Sequence, residues 1–177
     1  MTLQQKNAKQ LRTYQPSPAE LQAYHQQMRP IEVLLQDVTD TYNVGSMFRL
    51  ADAMGVAKLW LAGKTEVPPN PRIAKAAVGL DRWVEWEYVS DTAAWMSQYR
   101  QTKPEMQVVA IEQSQHSLAY QNWQPQMPIL LLAGNETTGL PSEILKLADQ
   151  VVELPMYGVN ISMNVIMAVA VMLAKTL

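Results

Sequence analysis

The chain's 177 residues are 48% hydrophobic and 17% charged with no cysteine, which allows one domain with one sizeable core and leaves no disulfides to hold it. A net charge of −2 gives no general basic signature of a nucleic-acid binder. The longest strongly apolar run, Val165 to Ala174, is shorter than the roughly 20 residues that cross a bilayer, and the first residues lack the apolar segment of a secretory signal, so no membrane span is expected and the cytoplasm is the expected location.

Residues 1–30 depart from that charge balance. Lys6, Lys9, Arg12 and Arg29 stand against Glu20, a net of +3, leaving 10 basic against 15 acidic residues in the remainder. A basic arm ahead of an acidic body suits contact with a phosphate backbone; a solvated terminus accounts for the charge equally well. Ser17-Pro18-Ala19-Glu20 reads as a capping box with proline in the first turn, opening a helix that runs to about Met28 and stops at Pro30. The expected organisation is a basic helical arm, residues 1–30, ahead of a domain at 31–177. His25 in the arm reads as a surface residue.

Residues 31–36 (IEVLLQ) read as a strand. After the polar loop 37–42, Asn43 stands where a helix cap belongs, ahead of a helix over 44–54 that Gly55 ends as a left-handed cap. Gly45 in the first turn costs up to about 1 kcal/mol in a helix interior, so something is expected to approach closely there. A second strand at 57–61, a proline-rich loop at 63–71, a short helix at 72–79 and a third strand at 83–89 follow. Lys64, Arg72, Lys75 and Arg82 make the densest basic patch of the core, either an RNA contact or a solvated face.

Ser90 is the expected cap of a helix to Tyr99, and 106–111 is a fourth strand. Glu112 lies just past its end, where open α/β sheets hold ligands, which makes it a candidate cofactor neighbour. His116 and Trp123 read as structural. The apolar run 129–133 feeds Gly134 and the polar loop 135–138, closed by Gly139-Leu140-Pro141. The run 151–154 similarly feeds Pro155, Tyr157-Gly158-Val159-Asn160 and a helix from near Ser162. Strand–helix alternation argues for a single α/β domain with a mainly parallel sheet flanked by helices. The last helix, apolar nearly all round, must be covered on more than one side.

Three stretches share a pattern: Asn43, Gly45, Arg49, Asp52, Ala53 and Gly55; Gly134, Glu136, Gly139 and Leu140; and Leu154, Pro155, Met156, Gly158, Ser162, Met163, Asn164, Val165 and Ile166. Together, over roughly residues 31–175, they resemble the motifs of the SpoU (TrmH-like) group of SPOUT RNA methyltransferases. Leu154 and Met163 depart from the family pattern but stay apolar; Ile166 replaces a serine and its hydroxyl.

The resemblance implies a C-terminal trefoil knot, homodimerisation through the knot region, and S-adenosylmethionine held by Gly134, Leu154, Met156, Ser162 and Met163. It implies methyl transfer to a ribose 2′-hydroxyl of tRNA or rRNA. Arg49 is then the catalytic candidate, with Glu136 positioning it or balancing charge, and Asn43, Ser162 and Asn164 supplying hydrogen bonds. Lys6, Lys9, Arg12, Arg72 and Lys75 are candidate RNA contacts. Two other readings stay open, a catalytically silent RNA-binding member and a base-methylating SPOUT enzyme.

Other chemistries fit less well. Gly134 and Gly139 have the spacing of a phosphate loop, but Leu140 and Pro141 occupy the places of its lysine and hydroxyl residue. Gly-x-Gly-x-x-Gly is absent, and no Cys/His cluster or His-Glu-x-x-His suggests a metal.

Overall fold

The computed structural model describes residues 3–177. Seven parallel strands form one sheet in the order β3-β2-β1-β6-β4-β7-β5. The strands are β1 (Arg29–Gln36), β2 (Val56–Ala62), β3 (Glu85–Val89), β4 (Gln107–Ile111), β5 (Leu118–Ala119), β6 (Ile129–Ala133) and β7 (Gln150–Glu153). Because all run the same way, their carboxyl ends share one edge. β6 is buried along its whole length, as expected of a strand covered on both faces.

Side chains alternate between two cores. Val33, Leu35, Leu59, Leu61, Ile129 and Leu131 face one cluster; Leu34, Trp60, Leu130 and Leu132 face the other. The first is closed by α3 (Thr41–Met54), α4 (Pro71–Ala77) and α7 (Val165–Ala174), the second by α5 (Thr92–Thr102) and α6 (Ser142–Leu145). The buried Glu32 on β1 is satisfied by Trp60 Nε1–H (2.5 Å), Tyr99 O–H (2.9 Å) and the Lys103 ammonium, the pairing that a buried carboxylate requires.

The close approach expected at Gly45 is made by a neighbouring helix. A Cβ there would sit 2.5 Å from Ala76 Cβ and 2.7 Å from the Ile73 carbonyl oxygen, so glycine lets α4 lie directly on α3. Two expected caps are corrected. Asp40, one residue before α3, accepts from Tyr42 N–H at 2.7 Å, which places Asn43 inside the first turn with its side chain free for other work. Asp91 replaces Ser90, accepting from Ala94 N–H at 3.0 Å.

The chain's first segment holds α1 (Ala8–Thr13) and α2 (Pro18–His25). The capping box at Ser17 forms, and the Ser17 backbone N–H, with the Tyr14 hydroxyl, holds the Glu20 carboxyl down to about 2. Both helices pack on the segment at Arg82 and Trp83, ahead of β3. Tyr14 stacks on Trp83, His25 Nε2 lies 2.9 Å from the Trp83 carbonyl oxygen, and Arg82 donates to the carbonyls of Leu11 and Arg12. Among the described residues no helix is long and apolar enough to cross a membrane.

Candidate active site

The carboxyl ends of β4, β6 and β7 open onto a cleft of about 720 Å³. The loop after β6 builds one wall through its own polar side chains. Asn135 Oδ1 accepts from Thr137 N–H (2.8 Å) and Thr138 N–H (3.1 Å), Asn135 Nδ2 donates to the Asp37 carbonyl (2.9 Å), and Gly139 N–H returns to the Asn135 carbonyl (2.9 Å). Gly134 is required by a close approach, since a Cβ there would sit 2.4 Å from Gly139 C. Gly139 has φ +67°, which glycine alone adopts freely.

A polar chain joins the three motif stretches. Asn43 Nδ2 donates to Glu136 Oε1; Asn164 Nδ2 donates to Asn43 Oδ1 at 3.1 Å; and Asn164 Oδ1 caps α7 by accepting from Ile166 N–H at 2.9 Å. Glu136, expected to position Arg49 or to balance charge, accepts its hydrogen bond from Asn43, because the side chain released from capping reaches the loop. A hydrogen bond to a charged group contributes about 1.5–3 kcal/mol, so this link holds α3 against the β6 loop. Helix α7 begins at Val165 rather than near Ser162, since Asn164 supplies the cap.

Gly134, Leu154, Met156, Ser162 and Met163, the five expected cofactor residues, all line the cleft, as does Glu136. Glu112 lines it too. Ile166 does not; it packs on the core cluster, so the hydroxyl it replaces is not missing from the cleft wall. Among the described residues, the only charged side chains on that wall are Glu112 and Glu136. Two carboxylates and no cation, with Ile111, Leu140, Leu154, Met156 and Met163 beside them, suit a positively charged nucleoside with an apolar chain and disfavour a phosphorylated nucleotide.

Arg49 lies one and a half turns beyond Asn43 on α3, exposed and without an ion pair among the described residues. It is not on the cleft wall. Burial raises Asp52, in the following turn, above the usual carboxylate range. The basic candidates divide. Lys9, Arg12, Arg72 and Lys75 are exposed, and Arg72 borders a smaller cleft of about 450 Å³ with Tyr42. Lys6 instead turns inward, 3.9 Å from Glu20 and over the Tyr14 ring at 4.2 Å, while Arg82 is occupied by the α1 carbonyls.

Sequence reasoning missed Asn135 and Gln113. Asn135 carried a signal, an Asn followed by two residues whose N–H groups its side chain can accept. Gln113, whose Nε2 donates to the Ile161 carbonyl at 2.8 Å, carried none, because its partner lies far along the chain.

A family model described as the SpoU rRNA Methylase family matches residues 30–174. The tRNA (guanosine(18)-2′-O)-methyltransferase of Escherichia coli strain K12 is 31% identical over 149 residues, covering 81% of this chain and 61% of that protein. The 23S rRNA (guanosine-2′-O-)-methyltransferase of Neisseria meningitidis serogroup B is 26% identical, covering 83% and 58%. The crystal structure of the SpoU methyltransferase AviRb from Streptomyces viridochromogenes in complex with the cofactor AdoMet aligns with a TM-score of 0.72 at 27% identity, covering 81% of this chain and 57% of that one. The chain thus spans about three fifths of the length of the curated relatives it matches.

Proposed function

Because the chain belongs to the SpoU rRNA Methylase family, we propose that it transfers a methyl group from S-adenosylmethionine to a ribose 2′-hydroxyl of tRNA or rRNA. The observation that carries this reading is that two separate motif stretches line one cleft while the third is tied to both of them through Asn43, which bonds Glu136 and Asn164. When bound, S-adenosylmethionine supplies an electrophilic methyl group on a sulfonium. Gly134, Leu154, Met156, Ser162 and Met163 are the proposed holders of that cofactor, through backbone groups at the tight turns and apolar side chains.

A ribose hydroxyl is a weak acid, so its attack requires loss of its proton and stabilisation of the charge that develops on oxygen. Arg49 is a poor base, since a guanidinium keeps its proton to a pKa above about 12. Its exposed position without an ion pair leaves the guanidinium fork open to a phosphate. In this reading Arg49 orients the target phosphate and stabilises the oxyanion, with that phosphate as proton acceptor. Asn43 and Asn164 fix the loops beside it, and Ser162 offers a hydroxyl on the cleft wall.

RNA contact falls to Lys9 and Arg12 of the arm at residues 1–30 and to Arg72 and Lys75 of the domain at 31–177. A homodimer and a knotted C-terminal half belong to the same proposal. Exposed Tyr157, Val159, Ile161 and Met167 support the first, and a sedimentation mass of one chain would dismiss it. The placing of β6 between β1 and β4, and of β7 between β4 and β5, supports the second. An enzyme of cellular tRNA or rRNA works in the cytoplasm.

The test is incubation with methyl-labelled S-adenosylmethionine and RNA from a strain lacking the protein, followed by digestion to nucleosides. Label is expected in a 2′-O-methyl nucleoside, and label on a base would overturn the ribose assignment. Arg49→Lys keeps the charge but loses the planar fork; turnover should fall about a hundredfold, as for loss of one oxyanion donor, with cofactor affinity unchanged. Near-normal turnover in that variant would remove Arg49 from the mechanism.

A further inference from the structure

Glu112 sits immediately after β4, and its two oxygens are held by backbone donors. Oε2 accepts from Leu140 N–H at 2.8 Å and Oε1 from Gln113 N–H at 2.9 Å. Gly139 makes room for it, since a Cβ there would lie 2.2 Å from Oε2. The next residue, Gln113, ties the other cleft loop through the Ile161 carbonyl. This dipeptide therefore braces both loops at once, from a strand lying outside the three motif stretches.

Bracing alone does not account for the charge. Among the described residues no Lys, Arg or His lines the cleft, and no ion pair includes Glu112. Glu136, the other carboxylate on the wall, is drawn towards α3 by Asn43. Glu112 thus presents a fixed negative charge without a countercharge, oriented by neutral backbone groups, on the wall of a partly enclosed cleft where Coulomb attraction exceeds that in bulk water.

We propose that Glu112 is a specificity-determining residue of the cleft, its uncompensated carboxylate favouring a cationic sulfonium nucleoside over the neutral thioether left after methyl transfer. This rests on the reading of the cleft as the S-adenosylmethionine site. S-adenosylmethionine and S-adenosylhomocysteine share the adenosine and amino-acid groups and differ by one methyl and one positive charge. A residue that only shapes the loops changes both affinities alike. A residue that acts through charge changes their ratio, and so eases exchange of spent cofactor for fresh.

Titration calorimetry of the full chain with each ligand separates these roles. Relative to the unsubstituted protein, Glu112→Gln should lower the preference for S-adenosylmethionine over S-adenosylhomocysteine by about three- to tenfold, the range for one charge several ångströms away at effective dielectric constants between those of protein surface and water. Gln113→Ala cuts the second tie without changing charge, and should weaken both ligands together. Glu112→Asp keeps the charge on a shorter side chain and should also preserve the ratio while lowering both affinities. An unchanged ratio in Glu112→Gln, or a lost one in Glu112→Asp, would overturn the proposal. Failure of the unsubstituted protein to bind either ligand would instead overturn the reading of the cleft beneath it.

Discussion

The two loops that wall the cleft are built on different principles. The loop after β6 is closed on itself: Asn135 holds three partners, Gly139 folds back on it, and Gly134 is pressed against Gly139. The loop after β7 is open. Tyr157, Val159 and Ile161 are exposed, and a Cβ on Gly158 would meet nothing within 4 Å. Within one chain it is tied by Gln113 to the Ile161 carbonyl and by Asn164 to Asn43. One loop arrives preorganised, while the other depends on what is placed against it.

Substitutions in the two loops sharpen or break that contrast. The largest effect is expected from Gly134→Ala, whose methyl would collide with Gly139 and Leu140 backbone atoms. Overpacking of this kind costs about 1–3 kcal/mol, and calorimetry should find cofactor binding lost as the loop shifts; retained affinity would show the loop to be more compliant than its contacts imply. Asn135→Ala removes three hydrogen bonds from an ordered turn and should cost about 1–2 kcal/mol, read from denaturant midpoints. Gly158→Ala should leave stability within about 0.5 kcal/mol. A loss well above that would mean the second loop is packed in solution, and the contrast would fail.

Much of this architecture was legible in local chemistry. The run ILLLA at 129–133 reads as a buried strand because both its faces meet apolar layers, and the box at Ser17 forms because Glu20 lies three residues on. What escaped were outcomes decided between distant segments. Asp40 and Asn43 are both competent caps; the presence of Glu136, 93 positions beyond Asn43, goes with Asp40 capping while Asn43 crosses to the loop. Lys6 looks like a free cation until Tyr14, Glu20 and Trp83 close around it. β5, with two residues, and α6, with four, are too short to show a period of their own.

The cleft residues divide in the same way. Gly134, Glu136 and Ser162 are visible through resemblance, since their spacing is local. Gln113 serves the same cleft but acts through a partner 48 positions away, and no local pattern marks it.

The position of β6 also has a bearing on how the chain acquires its structure. β6 pairs with β1 on one side and β4 on the other, yet both precede it in sequence. A growing chain therefore carries two strand edges that have no neighbour until the segment from Ile129 onward has been made. Such edges are sticky, and pairings between remote segments form slowly because the loop entropy is spent first. The middle of the sheet, its most buried part, is thus closed late, with only β7 still to enter between β4 and β5, and synthesis of this protein must pass through a stage in which that gap is exposed to other chains.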